Sequence, residues 1–301
     1  MARIRANGIE IEYEDTGPRD GIPFLFINGF GSQLTSWPEE FHKGLEAAGL
    51  RVIRFDNRDV GLSQKWHGIL PDVRAAARAG NKPDVPYTLA DLASDAAGLL
   101  DALGIDSAHI AGASMGGMIA QLVVLDHPKK ARSLISIFST TSDPSLPPSS
   151  PEAMAALTTP APATDRATVI AHALKGRRSY ASTAWPFDET QLGELIGLNY
   201  DRSFYPEGSS RHYAAIVTSP PRTERLKTLK LPALVMHGTA DMLIKVEAGR
   251  HTASVIPGSE YNEIEGWGHD LPLGVIPTVA GTIAGFVQRV EVARGAKAAA
   301  E

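Results

Sequence analysis

The chain has 301 residues, a formal charge of −5, a pI near 6.0 and no cysteine. That length allows one large α/β domain or a core with an insertion, and the lack of cysteine excludes disulfides, thiolate nucleophiles and cysteine-held zinc. Lysine and arginine are scattered, with no basic block interleaved with aromatics, so nucleic acid is not an expected partner.

The first stretch, RIRANGIEIEYEDTG, alternates around Asn7-Gly8 and predicts a β-hairpin. It contains no apolar core of signal-peptide length. Residues 22–27 (IPFLFI) are continuously apolar, as expected of a strand covered on both faces, and stop at NGFGS. Helical spacing through Phe41, Leu45 and Leu50 follows, then a second buried strand at 51–56 (RVIRFD) and a loop. Thr88, three residues before Asp91, predicts a capped helix on which Leu89, Leu92, Ala96, Leu99 and Leu103 recur. AHIAGA reads as the next strand, MGGMIAQLVVLDHP as a helix stopped by Pro128, and ARSLISIFST as another strand. After a different middle region come the strand PALVMHG (232–238), the helix EAGRHTASVI, the strand EYNEIEG and a last helix near 274–290. The tail VARGAKAAAE is expected to be frayed surface.

Strand–helix alternation on both sides of residues 140–230 predicts the α/β class, with a mostly parallel central sheet flanked by helices. Between them, TTSDPSLPPSSPEAMAALTTPAPATDRA is rich in Pro, Ser and Thr and leads into Trp185, Phe187, Leu192, Leu195, Tyr200 and Tyr205. This predicts an inserted, mainly helical cap at 141–227 on a core of residues 1–140 and 228–301. No apolar run of membrane-spanning length is visible, so a soluble, cytoplasmic monomer or homodimer without a membrane partner is expected.

The chemistry centres on Ser114, which lies where AHIAGA turns into a helix, between Gly112 and Gly116. Gly-x-Ser-x-Gly at a strand–helix junction is the pattern of a nucleophile elbow, in which a tight turn exposes the hydroxyl and the helix N-terminus faces developing negative charge. A structural glycine turn fits the same five residues; a phosphate loop does not, because no Gly-x-x-x-x-Gly-Lys-Ser/Thr pattern is present. The partners decide. Asp241 follows the strand PALVMHG and His269 follows EYNEIEG, in the order nucleophile, acid, base and each beyond a strand end. The loop FINGFGSQLTSW places Phe30 where its N–H and that of Met115 would form an oxyanion hole. Gly29, Trp37 and Trp267 are pocket candidates that fit core packing equally well. Asp56, Arg58 and Asp59 read as an ion network bracing their loop, and His237 as structural. His42, His127, His212 and His251 lack metal-ligand spacing, so no metal site is expected. Asp270 is a competitor of Asp241 for the His269 ring.

GASMGGMIAQ, RVIRFDNRDVGLS, HGTAD and GWGHDLP, in that order, resemble the α/β-hydrolase-fold serine hydrolases over nearly the whole chain. SQLTSWPEEF and VIRFDNRD are most similar to a bacterial group around the aclacinomycin methylesterases and macrolide esterases. The resemblance implies Ser114 as nucleophile, His269 as base, Asp241 as its orienter, Phe30 and Met115 as oxyanion donors, and no cofactor. This chain has Asn28-Gly29 where many relatives have His-Gly, and a second-layer role of that imidazole does not carry over. The expected function is hydrolysis of a small to medium apolar or polyketide-like carboxylic ester. Macrolactone opening, C–C hydrolysis and perhydrolysis on the same triad stay open, as does a non-catalytic ligand-binding protein of the same fold.

Overall fold

A computed structural model describes residues 1–298. Asn7 (φ 45°) and Gly8 (φ 80°) form the tight turn that their sequence predicts, joining β1 (Ala2–Ala6) to β2 (Ile9–Thr16). Six further strands follow: β3 (Ile22–Ile27), β4 (Leu50–Phe55), β5 (Ala108–Ala113), β6 (Ala131–Ile137), β7 (Ala233–Gly238) and β8 (Glu260–Ile264). Together they form one sheet in the order β1-β2-β4-β3-β5-β6-β7-β8. β1–β2 and β2–β4 pair antiparallel, and the pairs β4–β3, β3–β5, β5–β6, β6–β7 and β7–β8 are parallel. Because β3 and β5 are neighbours, the connection out of β3 runs to β4 on one side and the connection out of β5 to β6 on the other, which opens a crevice at their carboxyl ends.

Alternate residues of the central strands feed two cores, which explains their unbroken apolar runs. On one face, Leu25, Ile27, Ile53, Ile110 and Leu134 pack against α3 (Leu89–Ala102) and α4 (Met115–Asp126). On the other, Phe24, Phe26, Val52, Ile135 and Met236 meet α1 (Glu39–Ala47) and α11 (Ile276–Ala298). The capping box on α3 is present, with Thr88 accepting from the Asp91 N–H and Asp91 accepting from the Thr88 N–H. Two elements differ from the sequence reading. The loop after β4 contains a short helix, α2 (Val73–Arg78), capped by Asp72. The expected frayed tail is instead part of α11 through Ala298, while 299–301 lie outside the described residues. By length and composition α11 would also span a membrane, but Val279, Ile283, Phe286, Val287 and Val290 bury it against the sheet.

The chain between β6 and β7 is helical: α5 (Pro151–Thr158), α6 (Arg166–Arg177), α7 (Glu189–Arg202), α8 (Pro206–Thr218) and α9 (Thr223–Leu226), with α10 (Val246–Val255) following β7. Asp56, Arg58 and Asp59 do not form a network among themselves. Asp56 accepts from Arg202 of α7 at 2.7 Å and Asp59 from Arg211 of α8 at 2.8 Å, whereas Arg58 pairs with Asp95. The two buried aspartates therefore fasten the helical segment to the sheet, a role invisible in the local spacing. Gln33 adds a polar tie to the Asn199 and Ser203 carbonyls.

Candidate active site

Ser114 stands at the N-cap of α4 with φ 58° and ψ −122°, a region that strains any residue bearing a Cβ. Backbone bonds hold it there. Its N–H donates to the Ile137 carbonyl at 3.0 Å, and its carbonyl accepts from the Gly117 N–H at 2.9 Å and the Ser139 hydroxyl at 2.7 Å. The turn is too tight for side chains beside it: a Cβ on Gly112 would lie 2.0 Å from the Gly116 carbonyl oxygen, and one on Gly116 2.0 Å from that of Ile27. The glycines of GASMGG thus follow from the geometry that presents the serine.

Parallel pairing of β3 with β5 sets Ile27 opposite Gly112, so the loop after β3 passes beside the elbow. A Cβ on Gly29 would contact that of Ser114 at 3.2 Å. The Phe30 and Met115 N–H groups donate to no protein acceptor among the described residues. The Met115 amide is also the first of α4, where the helix dipole favours negative charge. Met115 itself is buried in the core, so only its backbone can serve a ligand.

Asp241 and His269 come from farther along the sheet. Asp241 follows β7, and its Oδ1 accepts from the Leu243 and Ile244 N–H groups, each at 2.9 Å. Its Oδ2 lies 2.6 Å from Nδ1 of His269. Burial pushes the Asp241 carboxyl up, but attraction to His269 and hydrogen bonds from His237 and His269 outweigh it and hold it down at about 2. An ionised Asp241 fixes the proton of His269 on Nδ1, which leaves Nε2 as the free acceptor. The chain after β8 reaches back over the strand ends because the His269 N–H donates to the Tyr180 carbonyl at 2.7 Å and the ring leans on Phe138, centroids 4.5 Å apart. Asp270 does not compete for the ring, since its carboxylate accepts from the Ser182 N–H and hydroxyl. His237 is closer to the site than its sequence context implies: Nε2 is 2.7 Å from the Ile244 carbonyl oxygen and 3.4 Å from Asp241 Oδ2.

Ser114, His269, Gly29, Phe30 and Trp37 all line one cavity of about 700 Å³. The Ser114 hydroxyl and the His269 ring face this space without hydrogen bonding to each other, and such contacts commonly tighten only when substrate binds. Trp37 does both jobs proposed for it, lining the cavity and packing edge-on against Phe26 at 4.4 Å. Trp267 does not line the cavity. It is fully buried beneath Phe138, and its indole N–H donates to the Asp270 carbonyl at 2.7 Å, so it braces the His269 loop from below. Residues that sequence reasoning did not single out complete the walls: Phe138, Leu157, Arg177 and Tyr180. Trp185, Phe187, Leu192 and Leu195 carried a signal, as apolar positions after the Pro-rich entry. Asn28 is buried beside the site with both amide atoms unpartnered, while its carbonyl accepts from Asn57.

The family model described as alpha/beta hydrolase fold matches residues 22–273, most of the chain, and the chain belongs to that family. Among individual proteins it is similar to the rhodomycin D methylesterase DauP of Streptomyces sp. (strain C5), 29% identical with 96% of this chain and 98% of that one covered. It is also similar to the rhodomycin D methylesterase DnrP of Streptomyces peucetius, 29% identical with 93% and 95% covered. Among solved structures, the enol-lactonase from Burkholderia xenovorans LB400 shares the fold at a TM-score of 0.73 and 23% identity, covering 95% of this chain and 100% of that one.

Proposed function

We propose that this chain is a cofactor-independent carboxylic-ester hydrolase with Ser114 as nucleophile, His269 as general base and Asp241 as its orienter. The observation that carries the reading is the meeting of a strained, helix-capping serine and a carboxylate-held histidine on one cavity. Nε2 of His269 takes the Ser114 proton as the serine oxygen attacks the ester carbonyl. The Phe30 and Met115 N–H groups hold the resulting oxyanion, and each such donor typically contributes ~100- to 1000-fold in rate. His269 then protonates the leaving alcohol, and a water activated by the same nitrogen releases the acid.

The substrate class is a small to medium, largely apolar ester, in keeping with a cavity of about 700 Å³ walled by Trp37, Phe138, Trp185 and several leucines. The rhodomycin methylesterase likeness supports an ester of a polyketide-like acid. Residues 141–227 act as a cap that roofs this cavity and sets the size of what enters it. Intact-mass analysis after fluorophosphonate treatment tests the core of the reading. One adduct on the wild type and none on Ser114→Ala is expected; an equal adduct on both would remove Ser114 as the nucleophile.

A further inference from the structure

Two donors in the cavity wall have no work inside the protein. The Arg177 guanidinium and the Tyr180 hydroxyl form no hydrogen bond or ion pair with any described residue. Neither is among the polar atoms sealed away from solvent, so both open onto free space. They sit at the corner where α6 ends and a 3₁₀ turn (Arg178–Tyr180) begins. With Phe30 and Leu157 they line both the main cavity and a second one of about 320 Å³ beneath α5, α6 and α7. The corner is next to the proposed base: the Tyr180 carbonyl accepts the His269 N–H, and the two rings meet edge-on with centroids 6.1 Å apart.

The charges around this corner leave Arg177 available. Asp270, whose carboxyl feels the Arg177 charge, is held by Ser182 and forms no ion pair with Arg177. Glu40, Asp188 and Glu194 belong to the outer rim, exposed to water where their field is screened. Burial raises the Tyr180 phenol, the Arg177 charge opposes that rise and the Asp270 and Asp241 carboxylates add to it, so the hydroxyl remains a donor. A half-buried guanidinium and a phenol without acceptors are complementary to an anionic oxygen group, above all a carboxylate.

We propose that Arg177 and Tyr180, on the partition between the two cavities, bind a carboxylate carried by the substrate away from the scissile bond, so that the preferred substrates are half-esters of dicarboxylic acids. This rests on the ester-hydrolase reading for the reaction and adds the charge of the substrate. The bound carboxylate makes the selectivity, and the apolar walls hold the chain between it and Ser114.

The test compares methyl half-esters of straight-chain dicarboxylic acids of increasing length with methyl esters of the matching monocarboxylic acids. The wild type is expected to favour the half-ester of at least one length by about tenfold or more in kcat/KM, the scale of one charged hydrogen bond. Arg177→Gln is expected to abolish that preference, Arg177→Lys to keep part of it, and Tyr180→Phe to reduce it. Neutral esters preferred at every length, or equal loss on both series in Arg177→Gln, would overturn the proposal. Calorimetry on Ser114→Ala, which needs no turnover, separates this idea from the ester-hydrolase reading. Binding of the best half-ester should weaken by about tenfold when Arg177→Gln is added. If no ester is hydrolysed but that loss is seen, only the reaction assignment fails. If no half-ester binds Ser114→Ala, the carboxylate site fails.

Discussion

Replacing Asp241 by asparagine should disable the site through a single proton. Oδ1 of Asp241 accepts two N–H groups at 2.9 Å, and Oδ2 faces Nδ1 of His269 at 2.6 Å. The asparagine oxygen must take the place of Oδ1, because the reverse orientation would set its NH₂ against two N–H donors. Its NH₂ then points at Nδ1, which can only accept. The ring proton moves to Nε2, and the nitrogen that should accept from Ser114 becomes a donor. The equivalent change in a serine-protease triad lowers kcat by ~10⁴, which corresponds to about 5 kcal/mol of transition-state stabilisation. KM should change little, because Asp241 is buried behind His269 and does not line the cavity. Steady-state kinetics on any ester that the wild type turns over, with circular dichroism to confirm folding, measures the loss. A folded Asp241→Asn enzyme within about tenfold of wild-type kcat would refute the tautomer argument and the role of Asp241 with it.

The same carboxylate makes stability depend on pH. Its folded value of about 2 lies below the ordinary 3.8, so its contribution is complete above pH 4 and lost as the pH falls toward 2; the size is about 2 kcal/mol. In urea titrations, the difference between wild type and Asp241→Asn should shrink over that window. His42 is buried against Phe26 and Phe41 with both ring nitrogens unpartnered, and burial, aided by Arg54, pulls it down to about 3. The unfolded chain protonates it below about pH 6.5 while the folded chain does not, so stability falls with acidification by up to about 1.4 kcal/mol per pH unit. His42→Phe should lessen that slope, to which buried His109 and His212 also contribute, and an unchanged slope between pH 6 and about 4.5 would show that His42 carries none of it. Arg211→Met leaves Asp59 buried beneath α8 with Tyr87 and the Trp66 N–H but no cation. A loss of about 3–5 kcal/mol is expected for such an orphaned charge, and double substitution with Asp59→Asn should recover most of it. No recovery would mean that packing, and not charge, is what Arg211 supplies.

The local pattern of this chain is consistent at nearly every level. The hairpin follows from Asn7-Gly8, the capped α3 from Thr88 and Asp91, and the two-sided strands from unbroken runs such as IPFLFI. Ser114 was legible because a tight strand–helix turn can be built only with small neighbours, and that restriction is written into five consecutive residues. Trp267 and the Asp56–Asp59 segment were not legible. A tryptophan beside a proposed histidine lines the pocket or braces the loop according to which face of the loop turns inward, and here the indole is buried beneath Phe138. Asp56 and Asp59 look like partners of Arg58, yet their partners Arg202 and Arg211 lie about 150 residues away in sequence.

The sequence by itself determined the elements, the two-layered burial of the strands and the chemical identity of the elbow, because each depends on neighbours within a few residues. Only the tertiary structure decided what the cavity is made of. Strand order brings Gly29 and Phe30 beside Ser114 from more than eighty residues away. The return of the chain after β8 sets His269 on Asp241. The turn after α6 leaves Arg177 and Tyr180 without partners at the wall between two cavities. Contacts of that kind depend on how distant segments pack against one another, and no local periodicity encodes them.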